Sequence, residues 1–125
     1  MNRRYIAVIA AVLSPATVLA AALVEIAFDA DGRFDHEGRI APGKFLEVCA
    51  PMPPGQGLHW SFRSDALVDF NIHYHVGGKV ESPVRRTGVE AMDGDFVAPS
   101  GQDYCWMWKN TGVREAIVGA RFQRR

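Results

Sequence analysis

His73 and His75 stand two residues apart in the run Asp69-Phe70-Asn71-Ile72-His73-Tyr74-His75. Neutral imidazole is a good ligand for copper(II) or zinc, so the chemistry to test first is metal binding. The run alternates strictly between polar and apolar residues, the period of a half-buried β-strand. Phe70, Ile72 and Tyr74 then point to one side, and Asp69, Asn71, His73 and His75 to the other. A second alternating run, Leu58-His59-Trp60-Ser61-Phe62-Arg63, carries a third histidine. If the two runs form a hairpin with Arg63 opposite Asp69, His59 faces His73, and such partners lie about 5 Å apart at Cβ. A register slip of one residue would scatter the three rings. Met107 joins the candidate set if its strand neighbours that of His73, since a thioether suits copper(I). The competing reading is plain solvation, because a water-facing strand needs polar residues and His, Asn and Asp supply them.

Cys49 and Cys105 are the two cysteines of the chain. In an oxidising compartment an even pair is read first as a disulfide, and otherwise as two thiolates in a metal site. Export is the reading of the first segment. Asn2-Arg3-Arg4 forms a short basic region and Ile6 to Leu13 an apolar one; Ser14-Pro15 breaks a helix, and small residues follow up to Ala22. This is the layout of a secretory signal over 1–22, with a mature domain over 23–125, the rival being a short uncleaved anchor. Removing Arg3 and Arg4 lowers the basic count from 14 to 12 against 14 acids, a net charge of about −2. With no basic stripe to track phosphates, nucleic acid is not an expected partner. The mature protein is expected in the periplasm or medium, off the membrane.

Enzyme constellations are weak. The serines lie in no nucleophile-elbow context, the carboxylates are spread along turns, and Cys105 has no neighbouring base in sequence. Gly38 to Lys44 nearly matches a phosphate-binding loop, but Phe45 stands where Ser or Thr should hold magnesium and Pro42 removes a backbone donor. Asp29-Ala30-Asp31-Gly32 lacks the closing glutamate of a calcium loop and reads as a turn. His36, in Asp35-His36-Glu37, reads as solvated surface. Non-enzymatic binding is the expectation, with a protein of the cell envelope or a copper or zinc ion as partner.

The elements that must position these groups are strands. Leu23–Phe28, Phe45–Ala50, Leu58–Arg63, Asp69–His75, Tyr104–Trp108 and Glu115–Phe122 read as such, with short edge strands at Val80–Val84 and Gly88–Met92. Gly- and Pro-rich turns punctuate them, and no amphipathic helix of useful length is visible. The fold class is therefore all-β, an antiparallel β-sandwich of seven or eight strands. Tyr104, Trp106 and Trp108 alternate on one strand face, the pattern of core packing rather than of a stacking site for a flat ligand.

The succession Leu58-x-Trp60-x-Phe62, Asp69-Phe70-x-Ile72 and Tyr104-x-Trp106-x-Trp108-x-Asn110, followed by a terminal strand, resembles the GOLD domain of the p24 cargo receptors. The resemblance covers Phe45 to Phe122. It implies a compact, jelly-roll-like sandwich that binds without catalysis, with Trp60, Phe62, Phe70, Ile72, Trp106 and Trp108 between two sheets. The chain departs from p24 proteins in having no coiled coil and no membrane span after the domain, so cargo sorting is not implied.

Overall fold

A computed structural model describes residues 10–11 and 22–125. The expected secretory signal falls almost wholly outside these. The described residues contain no helix long and apolar enough to cross a membrane. Among the described residues the architecture is all-β, with seven strands: β1 (Ala22–Glu25), β2 (Arg33–Ile40), β3 (Phe45–Met52), β4 (Gly57–Val76), β5 (Lys79–Val97), β6 (Gln102–Lys109) and β7 (Ala116–Arg124). They form one curled sheet in the order β1-β3-β6-β4-β7-β2, with β5 on β4. Every pairing is antiparallel except β1 with β3.

The alternation in Leu58–Arg63 and Asp69–His75 predicts two strands, one folded onto the other. The structure corrects this, since both runs belong to the single strand β4. Ser64, Asp65, Ala66 and Leu67 do not turn the chain back. They extend the strand through a bend, marked by a register shift against β5 between Arg63 and Val68. Opposite the bend, Gly88 takes a left-handed φ of 64°, and its amide donates to Asp69 Oδ1 at 3.0 Å. One edge of β4 is held by β5 along its length. The other edge is shared, with β7 on Leu58–Ser64 and β6 on Asp69–His73. The bend thereby makes two layers from one sheet. Phe62 and Phe70, on either side of it, meet at 4.9 Å between ring centroids, and Trp60 meets Phe70 at 5.1 Å.

The two expected edge strands after Gly78 are likewise one strand, β5. Pro83 does not break it, because an edge strand needs no donor on its open side. Gly77 and Gly78 have φ of 55° and 76°, as a two-residue hairpin turn between Val76 and Lys79 requires. Asp35-His36-Glu37, a charged loop by its sequence, lies within β2. Its signal was the alternation of charged Arg33, Asp35, Glu37 and Arg39 with Phe34, His36, Gly38 and Ile40. His36 therefore sits on a strand, half-buried and stacked parallel to Phe34, with ring centroids 6.3 Å apart.

The even positions of β4 fill the core, as the alternation predicts. Leu58, Trp60, Phe62, Val68, Phe70 and Ile72 are buried with Tyr104, Trp106, Trp108, Val118 and Phe122. Each such large apolar side chain contributes about 1.5–3 kcal/mol by leaving water. Gly94 lies under the indole of Trp60, where a Cβ would come within 2.9 Å of Cζ2. Asn110, fully buried, closes the end of the core. Its Nδ2 donates to the carbonyls of Ile40 and Arg114, at 2.9 and 2.7 Å, and its Oδ1 accepts from the Gly112 amide at 2.9 Å.

Candidate functional site

Odd positions of β4 face outward, and the bend sends them to opposite sides of the molecule. His59 lies on the β7-paired half, and His73 and His75 on the β6-paired half. The expected triad of imidazoles is therefore not assembled. His59 pairs with Asp95 of β5, Nδ1 to Oδ1 at 2.9 Å. His73 and His75 do stay together, in an edge-to-face contact with centroids 5.3 Å apart. Met107 comes into register opposite Asn71, one cross-strand pair away from His73.

On this outer face the strand register builds two rows. Glu25, Cys49, Cys105 and His73 stand opposite one another across β1, β3, β6 and β4. Leu23, Glu47, Met107 and Asn71 form the adjacent row. Cys49 and Cys105 are joined as a disulfide, as expected for the pair. Glu47 was not singled out in the sequence. Its place on the face of Cys49 follows from strand alternation, but its neighbour His73 belongs to a strand two places away and has no sequence signal.

His73 is the centre of a polar cluster. Its Nε2 contacts Glu47 Oε1 at 3.1 Å, and its Nδ1 contacts the Asn71 side-chain amide at 2.7 Å. With Asn71 Oδ1 facing Nδ1 and Glu47 Oε1 facing Nε2, the charged ring donates from both nitrogens and the neutral ring from one of them. Burial pushes the His73 pKa below its ordinary 6.5; the Glu47 carboxylate opposes this, and His75 adds to the lowering. The folded protein thus binds fewer protons at His73 than the unfolded chain as pH falls below 6.5. Stability is unaffected by this group above that pH and declines below it. The urea midpoint is expected to fall as pH is lowered through 6.5. His73→Gln is expected to flatten that slope, and an unchanged slope in the variant would contradict the assignment.

The other layer carries a second feature. Three cross-strand rows cross its outer face. They are Arg33, Gln123, His59 and Asp95; then Asp35, Arg121, Ser61 and Asp93; then Glu37, Gly119, Arg63 and Ala91. Small residues at Gly119, Ser61 and Ala91 leave a groove of about 680 Å³ between β2 and β5. A smaller hollow of about 310 Å³ adjoins it at Arg33, His59 and Gln123. Among the described residues, Asp35, Glu37, Asp93, Arg63 and Arg121 make no ion pair, although Asp35 and Arg121 stand opposite each other. Ser61 has no hydrogen-bonded base among the described residues, so no nucleophile is assembled there.

No protein-family model matches the chain, and no curated protein matches it in sequence. Its fold does match solved structures, and these share an all-β architecture. The periplasmic inhibitor of g-type lysozyme PliG from Aeromonas hydrophila superposes with a TM-score of 0.67 at 13% identity, over 85% of this chain and 98% of that one. PliG from Salmonella Typhimurium gives 0.62 at 15% identity, over 85% of this chain and all of its own. The Yersinia pseudotuberculosis-derived mitogen gives 0.57 at 15% identity, over 73% and 84%. These likenesses establish a shared fold and correct the resemblance to the GOLD domain. The alternating aromatic positions that carried it, from Trp60 to Trp108, are what any closed two-layer β fold requires. Two of its presumed separate strands are also one strand here.

Proposed function

We propose that the chain is an exported, non-enzymatic protein-binding domain that docks through the outer face of β2, β7, β4 and β5, and that its partner is a g-type lysozyme. The observation that carries this reading is the groove of unpaired charged groups on a rigid sheet. Arg63 and Arg121 present forked donors suited to carboxylates, with Asp35, Glu37 and Asp93 around them as acceptors. Glycoside hydrolases carry paired carboxylates in their clefts, which gives such donors a natural counterpart. A charged, shallow and preorganised face of this kind fits a wet protein–protein interface. The near-complete span shared with the lysozyme inhibitors, together with the secretory layout of residues 1–22, supports a periplasmic location and this partner.

The mature protein is expected to inhibit g-type lysozyme and to form a complex with it in calorimetry. Arg63→Ala together with Arg121→Ala is expected to weaken binding by about thirtyfold or more, the effect of removing an interface anchor. Both side chains are exposed, so the unfolding transition should not move. Absence of both inhibition and complex formation at micromolar concentrations would sink the reading.

A second reading, copper or zinc held at the His-x-His face, is favoured by the contact of the His73 and His75 rings and the nearness of Met107. It uses His73, His75 and Met107 without His59. The oxidised protein keeps this set, so metal titration of that form tests it.

A further inference from the structure

We infer that the Cys49–Cys105 bond conceals a second, redox-gated site for a thiolate-preferring divalent cation such as zinc, formed by Cys49, Cys105, His73 and Glu47 once the bond is reduced. The site lies on the opposite layer from the docking groove and does not depend on lysozyme binding. It also differs from the His-x-His reading, since it needs both sulfurs and does not need His75.

Three donors of the right kinds, Glu47, His73 and Cys105, converge here, and the fourth, Cys49, is bonded to Cys105. Cys49, Cys105 and His73 are direct cross-strand neighbours on β3, β6 and β4, and Glu47 is two residues from Cys49 on the same face. The ligand atoms of Glu47, His73 and Cys105 all lie within 4.8 Å of one another. A tetrahedral zinc ion with bonds of about 2.0–2.3 Å needs its donors somewhat closer, about 3.3–3.8 Å apart. Small side-chain rotations supply that contraction while the strands stay in place. Two sulfurs, one imidazole and one carboxylate make a four-coordinate set of the type zinc accepts.

The shell around His73 also suits a ligand. Asn71 lies 2.7 Å from Nδ1, and its oxygen can accept the Nδ1 proton. That leaves the Nε2 lone pair facing Glu47 Oε1, 3.1 Å away, where a cation would sit. A metal-bound histidine commonly donates its other ring N–H to such a fixed acceptor, which sets the tautomer and the ring orientation. Glu25, at the end of the row beside Cys49, adds negative charge to the same face.

The disulfide blocks the site because its sulfurs carry no anionic charge and are bonded to each other. A dithiol reductant opens it. Two electrons and two protons convert the bond to two thiols, and the reductant becomes a disulfide. Zinc then displaces the two thiol protons and binds two thiolates. A disulfide oxidant, itself reduced to two thiols, takes two electrons back from the thiolates, which restores the bond and releases the ion.

The test is zinc titration of the oxidised and reduced protein against a chromophoric chelator, with cobalt(II) as a spectroscopic probe of thiolate ligation. The reduced protein is expected to bind one zinc far more tightly than the oxidised one and to show thiolate-to-cobalt charge transfer. Asn71→Ala is expected to weaken zinc binding by about tenfold to a hundredfold, and His73→Gln by more. His75→Ala should leave the reduced site intact, whereas it would damage a surface His-x-His site in the oxidised form. Urea unfolding of the reduced protein, with and without zinc, separates a folded site from chelation by an unfolded chain. Zinc should raise the midpoint, or refold the chain if reduction has unfolded it. Equal affinity of the two redox forms would overturn the proposal. So would an unaltered affinity in His73→Gln, or zinc that fails to stabilise the reduced fold.

Discussion

Reduction of the Cys49–Cys105 bond, without metal, is expected to lower stability by about 4 kcal/mol, because the loop it closes is long and the released chain gains that much entropy when unfolded. The cysteines are 56 residues apart in sequence. They stand directly opposite each other in the β3–β6 ladder, whose pairing runs from Phe45–Lys109 to Met52–Gln102. The ladder does not need the bond to form. The reduced chain should therefore fold, but with a large part of the usual 5–15 kcal/mol (about) margin gone. Urea titrations of the oxidised protein and of Cys49→Ser/Cys105→Ser should differ by this amount. Coincident curves would show that the bond adds no stability and acts only as a redox cap.

Trp108→Ala is expected to cost about 3–5 kcal/mol, the penalty for emptying a core site of an aromatic ring. Trp108 is fully buried and touches both halves of the bent strand, Phe62 at 5.5 Å and Phe70 at 5.6 Å between centroids. Its removal opens a void where the two layers meet. Trp108→Phe should cost much less than Trp108→Ala. The Trp108 indole nitrogen is buried with no hydrogen-bond partner among the described residues, so the smaller ring also removes a desolvated donor. Chemical denaturation of the two variants checks this, and equal losses would show that the cost does not come from the emptied volume.

Alternation was enough to read the inward set of β4 and β6, because a period of two follows directly from strand geometry. Phe70, Ile72, Trp106 and Trp108 were placed correctly on that ground alone. Alternation cannot distinguish one bent strand from two paired ones, since both give the same polar and apolar positions. The hairpin expected between Arg63 and Asp69 failed there, and His59 went with it. β2 was missed because its inward positions include His36 and Gly38, which weaken the apolar stripe. The pairing of His73 with Glu47 joins residues 26 positions apart through an intervening strand, β6. Only the sheet order reveals it. The groove on the other face depends on small residues from three strands and has no local pattern at all.

The position of β7 sets the order in which the molecule can be assembled. Among the described residues β2 pairs with no strand but β7, and β7 lies between it and β4. The side chains of Arg33 and Gln123 that touch across this pairing are 90 residues apart. The β4–β5 hairpin and the β3–β6–β4 ladder can close while the last residues are still free. The docking layer cannot, so β2 has no partner until Ala116–Arg124 arrives. Contacts of such long sequence separation slow folding and leave apolar faces open in the meantime. Strand β7 is thus the one that seals the core, laying Phe122 against Trp60 and Trp106, and without Ala116–Arg124 the sheet would remain half-closed and aggregation-prone.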